Sequence, residues 1–210
     1  MKKFALLFSL LALTISFVAC GGGEATQVNN TAEEPKEKTP APAEETAPAP
    51  TVVAETGSYK TVILEDGIKS PRKEMTGAIG TANITVNYGS PSLRGRDILT
   101  LTPHGELWRT GANMATIFEV SKDVMVEGKE LKAGKYSLFT IPGEEEWVVA
   151  FNEDTDQGGT RSYKEDKDAL RVTVKPEATA TTSEAMEFVI EGDEVALQWG
   201  NTKVPFAIKG

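Results

Sequence analysis

From residue 59 to the C-terminus, apolar and polar residues alternate in short runs. Ala82, Ile84, Val86 and Tyr88 fall on one side of such a run, and Asn83, Thr85 and Asn87 on the other. A period of two is the side-chain period of a β-strand, so each run predicts a strand with one buried face. Comparable runs are Thr116–Val120, Val124–Val126, 136–141 and 147–151, where Trp147, Val149 and Phe151 share a face. They continue with Leu170, Val172 and Val174, then Met186, Phe188 and Ile190. Val195, Leu197 and Trp199 follow, and Val204, Phe206 and Ile208 close the series. Glu127-Gly128, Ala133-Gly134, Pro142-Gly143 and Gly192-Asp193 punctuate the runs, as turns require. The pattern predicts an all-β domain of about nine strands, folded as a β-sandwich or jelly-roll-like barrel. Helix is confined to a short turn within 162–169, because the helix-like pattern at 105–114 is too rich in glycine.

The N-terminal part follows other rules. Lys2 and Lys3 precede an apolar stretch over 4–19, which reads as a secretory signal segment. The stretch is too short for a spanning helix, which needs about 20 apolar residues. It ends Phe17-Val18-Ala19-Cys20-Gly21, and this resembles the lipobox of bacterial lipoproteins. The resemblance implies a signal peptide over 1–19, cleavage before Cys20 and acylation of its sulfur, which makes Cys20 a membrane anchor. The stretch 20–58 is dominated by Gly, Ala, Pro, Thr and Glu and holds five of the eleven prolines. It has no core-forming face, so it reads as a disordered, extended spacer before a domain over 59–210.

Composition narrows the function classes. The net charge of −9 argues against a nucleic-acid partner. With one Cys and one His, no internal disulfide forms and a Cys/His zinc site lacks ligands. No nucleophile elbow, P-loop or H-E-x-x-H motif is present, so no catalytic residue and no cofactor are assigned.

Candidate chemistry gathers in the long connection after Tyr88. It runs Gly89-Ser90-Pro91-Ser92-Leu93-Arg94-Gly95-Arg96 and later Pro103-His104-Gly105-Glu106-Leu107-Trp108-Arg109-Thr110-Gly111-Ala112-Asn113. Connections this long inside a domain are usually functional or disordered, and the Trp and Leu content argues against disorder. Arg96 and Arg109 offer bidentate donors for carboxylate, phosphate or sulfate groups. Asn113 both donates and accepts, Trp108 offers a stacking face, and His104 is the one imidazole. The alternative is a scaffold role, with Trp108 in the core and the arginines bonded to carbonyls or carboxylates. A weaker metal candidate is Asp154, Asp156 and Glu165, which partly match a calcium-loop spacing.

The strings Trp108-Arg109-Thr110-Gly111-Ala112-Asn113, Ala133-Gly134-Lys135-Tyr136 and Ile141-Pro142-Gly143 resemble the domain-of-unknown-function family number 2911. Ser70-Pro71-Arg72, Asn87-Tyr88, Gly95-Arg96 and Trp147 extend the match over about 69–208. The family occurs in secreted and lipid-anchored bacterial proteins and has no established activity. It more often carries an aromatic residue where this chain has His104, which counts against a mechanism needing an imidazole there.

The expectation is a non-catalytic, lipid-anchored protein of the bacterial cell envelope that binds a glycan, a small anion or another envelope protein. The rival readings are an envelope hydrolase using paired carboxylates, with or without His104, and a purely structural lipoprotein.

Overall fold

The computed structural model describes residues 50–210. The signal segment, Cys20 and most of the spacer lie outside the described residues, and so does everything inferred for them. Twelve strands form two antiparallel sheets. The larger holds β1 (Thr51–Glu55), β2 (Tyr59–Glu65), β3 (Arg72–Ile79), β4 (Ala82–Gly89), β5 (Thr116–Val120), β8 (Gly134–Ile141), β9 (Trp147–Asn152) and β10 (Asp168–Val174), in that order. The smaller runs β11 (Glu177–Glu191), β12 (Glu194–Lys209), β6 (Val124–Val126) and β7 (Lys129–Leu131). The domain is all-β, as the alternation predicts.

The predicted buried face is the one that packs. Ala82, Ile84, Val86 and Tyr88 are fully enclosed, as are Phe118, Phe151, Phe188 and Phe206 from both sheets. Phe118, Phe151 and Phe206 meet at centroid distances of 5.2–5.9 Å in tilted or edge-on pairs. Such contacts add to the area term that drives burial.

Four strands escape the pattern. β3 carries Lys73 on its inner face, so the charge breaks the apolar alternation there. Lys73 is only 8% exposed, and its ammonium pairs across the sandwich with Glu187 of β11. β1 is almost wholly exposed, so it has no apolar face to reveal it. It pairs with β2 all the same, which carries the folded part into the stretch read as spacer. β2 mixes Thr61 inside with an apolar Val62-Ile63-Leu64 run, and β7 is too short to show a period.

The two C-terminal runs form one strand. β12 passes through Gly200 at φ 61°, opposite Ser183 and beside irregular register in β11. A glycine in the left-handed region is the usual means of bulging a strand without ending it. Nine predicted strands therefore become eight, and the four hidden ones bring the total to twelve. The turn expected within 162–169 is a 3-10 turn at Glu165–Lys167, and a one-turn helix α1 (Ile98–Leu101) starts at Asp97, whose side chain accepts from Leu99 N–H at 2.7 Å.

Candidate functional site

The long connection after Tyr88, residues 89–113, is the middle block of the domain, and it is held down along its length. Trp108 makes two backbone hydrogen bonds to Thr140 of β8, at 2.8 and 2.9 Å. This short extension of the sheet sends alternate side chains to opposite faces. Trp108 goes inward and stacks on Trp199 at 5.7 Å, with its indole N–H donating to the Gly111 carbonyl. Leu107 goes outward and packs with Ala115, Phe139, Ala150 and Tyr163 in a second apolar cluster. Gly89 seats the far end of the block: a Cβ there would lie 2.2 Å from the Ala112 carbonyl oxygen, so only glycine fits.

The five candidate residues do not converge. Trp108 is half-buried against the core with one face on Trp199, so it is no open stacking platform. Arg96 is exposed and bonds locally, its guanidinium donating to the carbonyls of Leu93 at 2.9 Å and Ser92 at 3.1 Å. It lines a depression with Ile98, Leu99 and Asn201. His104 lines the next depression, about 210 Å³, together with Glu144 and Glu177, all three exposed. Asn113 is exposed at φ 65°, a turn conformation that asparagine tolerates well. Arg109 is separate from all of these and faces the outer side of the larger sheet.

There Arg109 lines a cavity of about 450 Å³ with Gly158, Gly159, Thr160, Arg161 and Ser162. Its Nε is enclosed and has no hydrogen-bond partner. An enclosed donor left unpaired is costly, and such groups call for an explanation. The loop 153–163 that completes the cavity is firmly built. Gln157, 1% exposed, donates through Nε2 to Asn152 Oδ1 at 2.9 Å and to the Asp154 carbonyl at 2.7 Å. Its own carbonyl accepts from Ala115 N–H at 2.9 Å, tying this loop to the middle block. Asn152 Nδ2 donates to the Lys164 carbonyl and to Asp168, and Asp168 in turn holds the Tyr163 hydroxyl and Arg171. Burial, with the Asp168 hydrogen bond adding, pushes the Tyr163 phenol well above its ordinary range.

The calcium-loop spacing does not survive folding. Asp154 Oδ1 accepts from Asp156 N–H, and the Glu165 carboxylate bonds Arg171 at 2.6 Å. The segment 154–165 passes through a 3-10 turn into β10, so its acids point to different partners. Among the described residues no three His, Cys, Asp or Glu side chains gather as metal ligands.

Arg161, Thr160 and the Gly158-Gly159 pair are the residues that sequence reasoning missed. Their signal was present: a double glycine followed by Thr, Arg and Ser is a short run of anion-binding groups. Their pairing with Arg109, some fifty positions earlier in the chain, was not visible.

Every enclosed polar side-chain atom without a hydrogen-bond partner among the described residues belongs to this outer side: Arg72, Arg109, Ser137, Gln157 and Arg171. The ion pair to Asp168 at 2.9 Å partly compensates Arg171 Nε. No curated protein and no solved structure matches the chain significantly. A family model described as a protein of unknown function, DUF2911, matches residues 70–208, which span the sandwich from just before β3 almost to its end and include every outer-face residue described above. The chain belongs to the DUF2911 family.

Proposed function

We propose that this protein is a lipid-anchored envelope domain whose outer-face cavity binds a small anionic group: a carboxylate, phosphate or sulfate. The observation that carries this reading is Arg109 Nε, enclosed, unpartnered and set at a cavity whose other lining residues are a second arginine, two glycines and two hydroxyl side chains. A guanidinium fork matches a planar or tetrahedral oxyanion, and hydroxyls with open backbone complete its shell. The protein is net acidic, so local guanidiniums, not overall charge, supply the attraction. Acylated Cys20 would hold the domain at the membrane, with the Pro-rich stretch as spacer.

Calorimetric titration of the whole chain with phosphate, sulfate, acetate and citrate tests the site. At least one anion should bind, and Arg109→Lys should weaken that binding about tenfold, because Lys keeps the charge and loses the fork. Absence of binding by all four, or affinity unchanged in the variant, sinks the reading. The anchor is tested separately: Cys20→Ser should move the protein out of the membrane fraction or leave it unprocessed.

A hydrolase reading has one supporting observation, the shared lining of His104, Glu144 and Glu177. Any hydrolysis of glycoside or ester substrates should then vanish in Glu144→Gln or Glu177→Gln and survive in Arg109→Lys.

A further inference from the structure

The strand register aligns one row of side chains across the outer face of the larger sheet. Glu74 of β3 is opposite Asn87 of β4, Asn87 opposite Ile117 of β5, and Ile117 opposite Ser137 of β8. The row continues through Asn152 of β9 to Asp168 of β10. The β9 and β10 end is covered by the loop 153–163. The β3 to β8 end lies open as a groove of about 300 Å³, lined by Glu74, Thr85, Asn87, Glu119, Lys135 and Thr155 over the apolar floor of Ile117.

From these features we infer that the open groove is a saccharide site, one that takes a neutral, polyhydroxylated ligand across the strands. The inference is independent of the anion cavity.

The polar groups at the groove are already oriented. Arg72 Nε donates to Asn87 Oδ1, which fixes the amide so that Nδ2 donates to Glu74 Oε2 at 3.3 Å. One amide N–H and the other Glu74 oxygen remain for a ligand. Arg72 is half-buried at this end, and its Nη1 is enclosed without a partner. Behind the lining, the Ser137 hydroxyl, directly opposite Ile117, and Gln157 Oε1, two residues beyond Thr155, are enclosed and unpaired, and neither lines the groove. Preorganised donors and acceptors lose little entropy when a ligand arrives.

The charges select the ligand class. Lys135, the one cation lining the groove, is paired with Glu119 at 3.2 Å, and the Glu74 carboxylate repels anions. Ile117 is the only apolar lining residue, too little for a lipid or an apolar peptide. What remains complementary is a molecule with many hydroxyls, each able to donate to a carboxylate and accept from an amide or ammonium.

The experiment is amide NMR of the whole chain titrated with cellotetraose, chitotetraose, maltotetraose and laminaritetraose, and with spermidine as a cationic control. At least one oligosaccharide should shift the Glu74, Asn87, Ile117 and Thr155 resonances, with a millimolar or tighter dissociation constant. Asn87→Ala should weaken that binding about tenfold. Thr155→Ala, an exposed position that leaves the Arg72 chain intact, should weaken it as well, and Arg109→Lys should leave it unchanged. Shifts from none of the four sugars, shifts from spermidine alone, or shifts that persist in both groove variants would overturn the inference. Because Arg109→Lys removes only the anion site, failure of one site is distinguishable from failure of the other.

Discussion

Two polar clusters in this protein are built from similar groups and differ in how completely their hydrogen bonds are made. Between the sheets, Lys73 pairs with Glu187, and the Tyr88 hydroxyl donates to the second oxygen of the same carboxylate at 2.9 Å. No enclosed side-chain atom of this trio lacks a partner. On the outer face, Asn152, Gln157, Asp168, Tyr163 and Arg171 form a comparable network, yet orphaned atoms surround it at Arg109, Ser137 and Gln157 itself. Burial of polar groups is tolerated when their bonds are complete. The inner cluster therefore reads as cohesion between sheets, and the outer one as a surface with binding capacity to spare.

Breaking the inner cluster should give the largest effect. Glu187→Ala leaves the Lys73 ammonium enclosed without its counter-charge. Loss of one partner of a buried pair costs roughly 3–5 kcal/mol. Because Glu187 is one-third exposed, a loss of about 2–4 kcal/mol is expected in denaturant unfolding. A change below about 1 kcal/mol would show that the pair contributes little and that the contrast between the clusters is misplaced.

Gly89→Ala should follow closely. The added methyl meets the Ala112 carbonyl oxygen at 2.2 Å, so the middle block must lift from β4. Overpacking of this kind typically costs about 1–3 kcal/mol. The variant should also lose anion binding, since the displaced block carries Arg109. Retained binding with lowered stability would mean that Arg109 is positioned by β8 and the Gln157 contact alone.

An alkaline titration sharpens the comparison further. Burial, with the Glu187 charge adding, pushes the Tyr88 phenol far above its ordinary value of 10.0. The unfolded chain then loses this proton first, so it binds fewer protons than the folded protein above that pH. The contribution of Tyr88 to stability is complete below pH 10.0 and falls as pH rises beyond it. Tyr88→Phe should flatten that fall while lowering stability at neutral pH by about 1.5–3 kcal/mol, the contribution of a hydrogen bond to a charged acceptor. An equally steep fall in the variant would assign the alkaline transition to the other tyrosines.

The smallest expected effect is the most diagnostic. Arg109→Lys removes a guanidinium whose Nε has no partner, so unfolding stability should move by no more than about 0.5 kcal/mol. A large loss would mean that Arg109 is scaffold.

The alternation of Ala82, Ile84, Val86 and Tyr88, or of Leu170, Val172 and Val174, was enough to read the fold class and the inner face, because side-chain direction in a strand depends only on position parity. The same rule failed at β3, where Lys73 faces inward because a partner 114 positions away makes that position tolerable. It failed at Gly200, where a turn-like Gly-Asn pair bulges a strand instead of ending it. The site followed the same division. Arg109 was recognisable as a chemical group in a specific string, but its separation from Arg96 was not, because the two are only thirteen residues apart on one connection.

Local sequence thus determined the strands, most of their inward faces, the family strings and the residue types available for binding. These depend on parity, turn chemistry and composition, which act over a few neighbours. Tertiary structure alone decided which polar groups meet. Strand order and register placed Glu74, Asn87, Ile117 and Ser137 in one row, and packing of two loops brought Arg109 to Arg161. Whether a buried donor is satisfied or left open is a property of such long-range meetings, since its partners come from strands and loops far apart in the chain.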